Sequence, residues 1–134
     1  MKAVFDSNIF ISALAIPGGQ AERAIDLVID GRVELCISKP IIHEVLRVLA
    51  EKLSRESEQI SRTAVFLAEI AELVVPRHTL AVLQDEPDNR ILECAVTGGA
   101  NIIVTGDKEM LNLKRFAEIR IITLRELLDE HAAS

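Results

Sequence analysis

Asp6, Glu44, Asp88 and Asp107 each follow a strand-like apolar run or stand in the opening turns of a helix-like one. Asp6 comes directly after Ala3-Val4-Phe5, and Asp107 follows Ile102-Ile103-Val104-Thr105-Gly106. If both runs are parallel strands, the two acids leave the same carboxyl edge, where open α/β sheets bind ligands. Acids that converge there repel one another, which raises their pKa values and costs stability unless a cation sits among them. The fitting cation is Mg²⁺ or Mn²⁺, because hard oxygen ligands suit it, it keeps several waters, and soft ligands are scarce in this chain. One such ion, or a pair, can activate a water and stabilise the leaving oxygen of a phosphodiester.

The other two acids are placed by helices. Pro87 pre-sets a first helical turn, so Asp88 lies three and four residues before Ile91 and Leu92 and shares the face that packs on the sheet. Glu44 stands one turn after Pro40, on the face shared with Ile41 and Val48. A helix dipole favours carboxylates near its N-terminus by ~0.3–1 kcal/mol, so either acid taken singly has an ordinary explanation. The joint pattern does not. Asp85 and Glu86 compete with Asp88 for the third position; Asp88 is preferred for its spacing to Ile91 and Ala95, and Asp85 reads as a turn or cap residue.

Strand and helix signals alternate along the chain, with no long linker, repeat or low-complexity tract, which favours one α/β domain over residues 1–134. Lys2 to Phe5, Arg32 to Ile37, Ile102 to Thr105 and Arg120 to Ile122 read as strands. Helices are expected from Gly18-Gly19 to Gly31, from Pro40 with a stripe of Ile41, Val45, Val48, Leu49 and Leu53, and from Pro87 with a stripe of Ile91, Leu92, Ala95 and Val96 up to Gly98-Gly99. Ser54 to Thr63 is polar, and Ala64 to Leu73 has helical periodicity, so this pair is expected to form a projecting arm. Its apolar positions Val65, Phe66, Ile70 and Leu73 are candidates for a partner surface. The stretch from Val74 to Gln84 is ambiguous. Thr123 and Glu126 fit a capping box for a last helix.

With 134 residues and 49% hydrophobic content, the chain can bury about two-thirds of its unfolded surface without a disulfide or metal staple. Cys36 and Cys94 have no CxxC partner and are expected to be reduced, buried thiols of a cytoplasmic protein. The longest uncharged stretch, Ser7 to Ala21, carries Asn8, Pro17, Gly18 and Gly19 and is too short for a membrane helix, so no membrane association is expected. A net charge of −6 argues against broad non-specific nucleic-acid binding, yet an acidic metal pocket is compatible with it, because a bound ion reverses the local potential.

Four segments carry a family resemblance: Val4-Phe5-Asp6-Ser7-Asn8, Ser38 to Leu46 around Glu44, Asp88 to Ala95, and Ile103-Val104-Thr105-Gly106-Asp107. In order and spacing they resemble the successive motifs of PIN domains across nearly the whole chain, with greatest similarity to compact prokaryotic members that include VapC-like toxins of toxin–antitoxin pairs. The resemblance implies a three-layer α/β/α fold with a mainly parallel sheet and a Mg²⁺- or Mn²⁺-dependent ribonuclease site. It places Asp6, Glu44, Asp88 and Asp107 at the acidic positions that hold metal and activate water, and Ser7 or Asn8 and Thr105 at polar positions that orient them. It also implies an RNA substrate, a small antitoxin and a homodimer.

Other motifs fail on single residues. His43-Glu44 begins like a zinc-protease HExxH, but Arg47 stands where the second histidine belongs. Asp6-Ser7-Asn8 approaches the DxD of haloacid-dehalogenase-like phosphotransferases, and Asn8 lacks the second carboxylate. A response-regulator receiver needs a phosphoacceptor Asp at a middle strand end, and Ser38-Lys39 follow Ile37 instead. His78 and His131 have no spaced partners and read as surface or loop residues. Arg90, Lys108 and Arg115 lie close in sequence to the acidic motifs and are candidates for RNA phosphate contacts. Four Phe with no Tyr or Trp leave few stacking platforms, which favours recognition of RNA shape and backbone. The alternative reading is a PIN-fold module that binds RNA or protein with little catalysis.

Overall fold

The apolar runs at residues 3–5 and 102–104 become neighbouring strands in the middle of a six-stranded sheet, and every one of their side chains is fully buried. The structure is a computed structural model and describes residues 1–132; the last two residues of the expected 1–134 domain lie outside the described residues. In chain order the elements are β1 (Lys2–Phe5), α1 (Ser7–Ala15), α2 (Gln20–Ile29), β2 (Glu34–Ile37), α3 (Lys39–Glu51), α4 (Ser57–Ile70), β3 (Ala71–Leu73), α5 (Glu86–Gly98), β4 (Ile102–Val104), α6 (Lys108–Leu113), β5 (Arg115–Phe116), β6 (Ile119–Ile122) and α7 (Leu124–His131). The sheet order is β3-β2-β1-β4-β6-β5, parallel throughout except for the β5–β6 hairpin. Parallel strands buried on both faces require helices on both sides, which gives the three-layer α/β/α arrangement.

Register sets the geometry of the carboxyl edge. Phe5 pairs with Val104, and the Asp6 N–H donates to the Val104 carbonyl at 2.9 Å. Asp6 and Thr105 therefore leave the sheet side by side. Val104 pairs in turn with Ile122, whose carbonyl accepts from the Thr105 N–H at 3.0 Å.

Several elements differ from the sequence expectations. Helix α1 follows Asp6 directly and was not anticipated, because Ser-Asn-Ile-Phe-Ile-Ser-Ala-Leu-Ala shows no clean polar face. The helix expected to run to Leu73 stops at Ile70, and Ala71–Leu73 pairs with Leu35–Ile37 as an edge strand, so tertiary pairing overrides local periodicity. The expected projecting arm packs down instead: α4 lies on α3 and buries Leu67. Within α5, Val96 is 45% exposed and outside the buried stripe, while polar Asn89 and Glu93 lie inside it. The short α6 and β5 were missed, being below the length at which periodicity can be read. His131 closes α7, with Nδ1 2.9 Å from the Leu127 carbonyl and its own carbonyl accepting from Arg32. The Thr123–Glu126 capping box forms as expected.

Cys36 and Cys94 are free and buried, and burial is the main cause that pushes the Cys94 thiol up to about 12. Among the described residues no helix is long and apolar enough to cross a membrane. The end of α5 is set by Gly99, which takes the left-handed conformation at φ 68°. Gly98 serves close packing instead: a Cβ there would meet Cys36 Sγ at 2.9 Å and Val74 Cγ2 at 3.2 Å, both in the core. Gly98→Ala is therefore expected to cost about 1–3 kcal/mol by forcing α5 off β2. Denaturant unfolding of the variant checks this, and an unchanged midpoint would show that the helix–sheet contact is loose.

Candidate active site

The loops at the carboxyl ends of β1 and β4 and the first turn of α5 bring three of the four acids together. Asp6 is the N-cap of α1 and is 6% exposed. Its Oδ1 accepts from the Asn8 N–H at 3.2 Å, and its Oδ2 accepts from the Thr105 hydroxyl at 2.7 Å. Thr105, fully buried, receives the Asp107 N–H on the same hydroxyl at 3.0 Å. Asp107 is the N-cap of α6 and accepts from the Met110 N–H at 3.0 Å. One hydroxyl thus holds the Asp6 carboxylate and the Asp107 backbone, and each of the two carboxylates also accepts an N–H from the helix that it caps.

Asp88 lies across from them in the first turn of α5, as buried as Asp6, and its Oδ2 is a buried atom with no hydrogen-bond partner. An orphaned carboxylate oxygen in the interior costs free energy that native structures rarely leave uncompensated. Burial pushes the Asp88 carboxyl up to about 7, with further upward pressure from Asp107, Asp85, Asp6 and Glu109. Asp6 is also raised, again first by burial; its bonds from Thr105 and Asn8 work in the opposite direction, and Asp107 and Asp85 add repulsion. Asp6, Asp88 and Asp107 therefore share one field.

Glu44 stands apart from that field. It is not among the main causes of the shifts of Asp6 or Asp88, and its carboxylate pairs with Arg47 at 3.1 Å on its own helix. It shares a cleft of about 180 Å³ with Ser7, Ile41, Glu86 and Arg90, beside the acid group at the starts of α3 and α5. Ser7 is buried within the first turn of α1, and Asn8 acts through its backbone N–H. Arg90 is already engaged, by Glu93 at 2.9 Å, by the Leu80 carbonyl at 3.1 Å and at longer range by Glu86. Lys108 and Arg115 are exposed.

Two further acids bear on the group: Asp85, weighed from sequence against Asp88 and read there as a turn or cap residue, and Glu109, which the sequence did not single out. Asp85 occupies the N-cap position of α5 yet makes no side-chain cap bond, and its charge bears on both Asp6 and Asp88. Glu109, two residues beyond Asp107, also acts on Asp88 and accepts from the Gln84 N–H at 3.2 Å. An acid in the first turn of a helix whose N-cap is itself a site acid was the available signal.

The donor set fits a hard divalent ion. Every candidate atom is a carboxylate or hydroxyl oxygen, and Asp88 Oδ2 is an acceptor that nothing in the protein satisfies. Among the described residues no three Asp, Glu, His or Cys side chains are close enough to hold an ion between them. Mg²⁺ commonly takes only one or two carboxylates directly and keeps several waters, so Asp6, Asp88 and Asp107 suit a hydrated ion rather than a closed protein cage.

The raised Asp88 pKa has a stability consequence. Below about pH 4 the carboxyl is protonated both folded and unfolded; between about pH 4 and about pH 7 the folded chain keeps a proton that the unfolded chain has lost. Stability from this group is therefore lost as pH rises through that window. Metal-free Asp88→Asn is expected to melt higher than the parent at pH 7.5, with the difference closing toward pH 4. Parallel melting-temperature profiles for the two proteins would contradict the shift.

Comparison with known proteins agrees with this architecture. The family model described as PIN domain matches residues 2–109, a span that holds all four acids. The uncharacterized protein MJ1680 of Methanocaldococcus jannaschii is 30% identical over 118 residues, covering 85% of this chain and 76% of that protein. Among solved structures, VapBC2 from Rickettsia felis bound to a DNA fragment from their promoter superposes with a TM-score of 0.64 at 16% identity, over 92% of this chain and 98% of that one. VapBC-1 from nontypeable Haemophilus influenzae gives 0.66 at 19% identity, over 93% and 99%. At those identities the two structures speak to fold, while the sequence match over most of the chain places this protein in the PIN-domain family.

Proposed function

We propose that this PIN-domain chain is a Mg²⁺- or Mn²⁺-dependent endoribonuclease that hydrolyses RNA phosphodiester bonds and is restrained by a small antitoxin. The observation that carries the catalytic half is the orphaned, buried Oδ2 of Asp88 in the shared field of Asp6 and Asp107. A carboxylate kept in that state is unfavourable for the fold alone and is accounted for by a cation that binds there.

Each residue has a definite task in this reading. Asp88 offers the free oxygen. Asp6, held by Thr105 and the Asn8 N–H, and Asp107, held by the Met110 N–H, are the fixed carboxylates whose charges act on it. When bound, the ion supplies Lewis-acid polarisation of the phosphoryl group and lowers the pKa of a water. Glu44 borders the neighbouring cleft and is suited to orient that water or a ribose hydroxyl. Lys108 and Arg115, exposed around α6, would meet the RNA backbone as point charges.

The partner half is supported by the likeness to two VapBC structures and by an apolar groove of about 180 Å³ between α1, α2 and α4. Phe10, Leu14, Ile25, Ile29 and Phe66 line it, and Ile29 is 56% exposed. An amphipathic helix of an antitoxin would cover these side chains. Of the partner-surface positions expected from sequence, Phe66 reaches this groove, Val65 and Leu73 remain exposed outside it, and Ile70 packs partly on the core. Val65 and Leu73 are the positions we assign to a homodimer contact.

The experiment is RNA cleavage by the purified chain. Cleavage with Mn²⁺ or Mg²⁺, silence in chelator, and a loss of about a hundredfold or more for Asp88→Asn and Asp6→Asn are expected. Undiminished cleavage in chelator would overturn the metal-dependent reading, and RNA binding without cleavage under any divalent ion would favour the binding-module alternative.

A further inference from the structure

The segment from Pro76 to Asp85 has no helix or strand, yet between Leu80 and Gln84 side chains satisfy its backbone groups in succession. Glu93 accepts from the Leu80 N–H at 2.7 Å, and Arg90 donates to the Leu80 carbonyl. Asn89 makes the central set: its Oδ1 accepts from the Val82 N–H at 3.0 Å and the Leu83 N–H at 2.8 Å, and its Nδ2 donates to the Leu83 carbonyl at 2.8 Å. The next residue, Gln84, donates its N–H to Glu109 on α6. Asn89 is 3% exposed, so this carboxamide is buried and committed to the segment.

Position gives those bonds a second meaning. Asn89 follows Asp88 on α5, and Glu109 lies two residues beyond Asp107 on α6. Residues 82–84 thus form a strap tied to α5 next to Asp88 at one end and to α6 next to Asp107 at the other. We propose that Asn89 is a positioning residue that, through this strap, sets the separation of Asp88 from Asp107 and with it the affinity for the divalent ion. This rests on the metal-dependent reading above. A residue behind a ligand typically changes metal affinity by about 10–100-fold when it is removed, which fits a carboxamide that touches no ion itself.

The test is the Mn²⁺ dissociation constant of the full chain, measured by calorimetry together with amide exchange at Val82 and Leu83. Asn89→Ala should free both amides and weaken Mn²⁺ by about tenfold or more. Asn89→Gln keeps an uncharged carboxamide that can accept from both N–H groups and donate to the Leu83 carbonyl, and should retain protection and affinity within about threefold of the parent, the rescue expected of a positioning bond. Leu80→Ala loosens the packing of the same segment away from Asn89 and should lower the melting temperature while leaving Mn²⁺ affinity unchanged. Asn89→Ala that exchanges freely yet binds Mn²⁺ as tightly as the parent would overturn the positioning role alone. If Asn89→Ala fails to fold, a tenfold loss in Asn89→Gln with both amides still protected would overturn it. A parent that binds no Mn²⁺ would overturn the metal-dependent reading and the positioning role with it.

Discussion

One hydroxyl joins the two halves of the carboxyl edge. Thr105 Oγ1 gives its proton to Asp6 and takes the N–H of Asp107, so the last residue of order on β1 is tied to the first turn beyond β4. The tie is available only because the parallel register sets Phe5 against Val104, with the adjoining backbone bond from Asp6 to Val104. That register is held in turn by side chains of β1 and β4 that have no contact with solvent, each worth roughly 1.5–3 kcal/mol if fully apolar and large. Thr105 is itself fully buried, so its hydroxyl makes both bonds out of contact with solvent.

The acids then pull against the packing that assembles them. Burial and mutual repulsion raise Asp6 and Asp88, so folding brings charges to a place where the charged form is disfavoured. Helix N-termini at α1 and α6 offset part of that cost for Asp6 and Asp107 by supplying N–H donors. Asp88 receives no such donor at Oδ2, although it sits in the first turn of α5. The imbalance is local and specific, and it marks Asp88 rather than its neighbours as the group whose preferred partner comes from outside the chain. Glu44 pairs instead with Arg47 on its own helix.

Much of the fold was legible because its signals are local. The all-apolar runs at residues 3–5 and 102–104, Pro40 and Pro87 at helix starts, Gly99 at a helix end and the Thr123–Glu126 box each act within a few residues. What escaped depends on neighbours in space. Ala71–Leu73 becomes a strand only because β2 offers an open edge, and α1 is buried on α2 and α3 despite a sequence without a polar face. Asn89 and Glu93 occupy the buried side of α5 because an irregular segment needs their hydrogen bonds, and that segment has no periodicity from which to infer it. The acids at 6, 88 and 107 were readable from strand and helix ends; the contribution of Asp85 and Glu109 required knowing how α5 and α6 approach each other.

Whether the unpartnered oxygen of Asp88 is an ion ligand decides the chemistry of the carboxyl edge. Anomalous diffraction from crystals grown with Mn²⁺ addresses this directly. The expected result is a manganese peak bonded to Asp88 Oδ2, at roughly 2.0–2.3 Å, with Asp6 and Asp107 turned toward it directly or through water. Full Mn²⁺ occupancy elsewhere on the protein, with Asp88 Oδ2 still lacking any partner, would contradict the account.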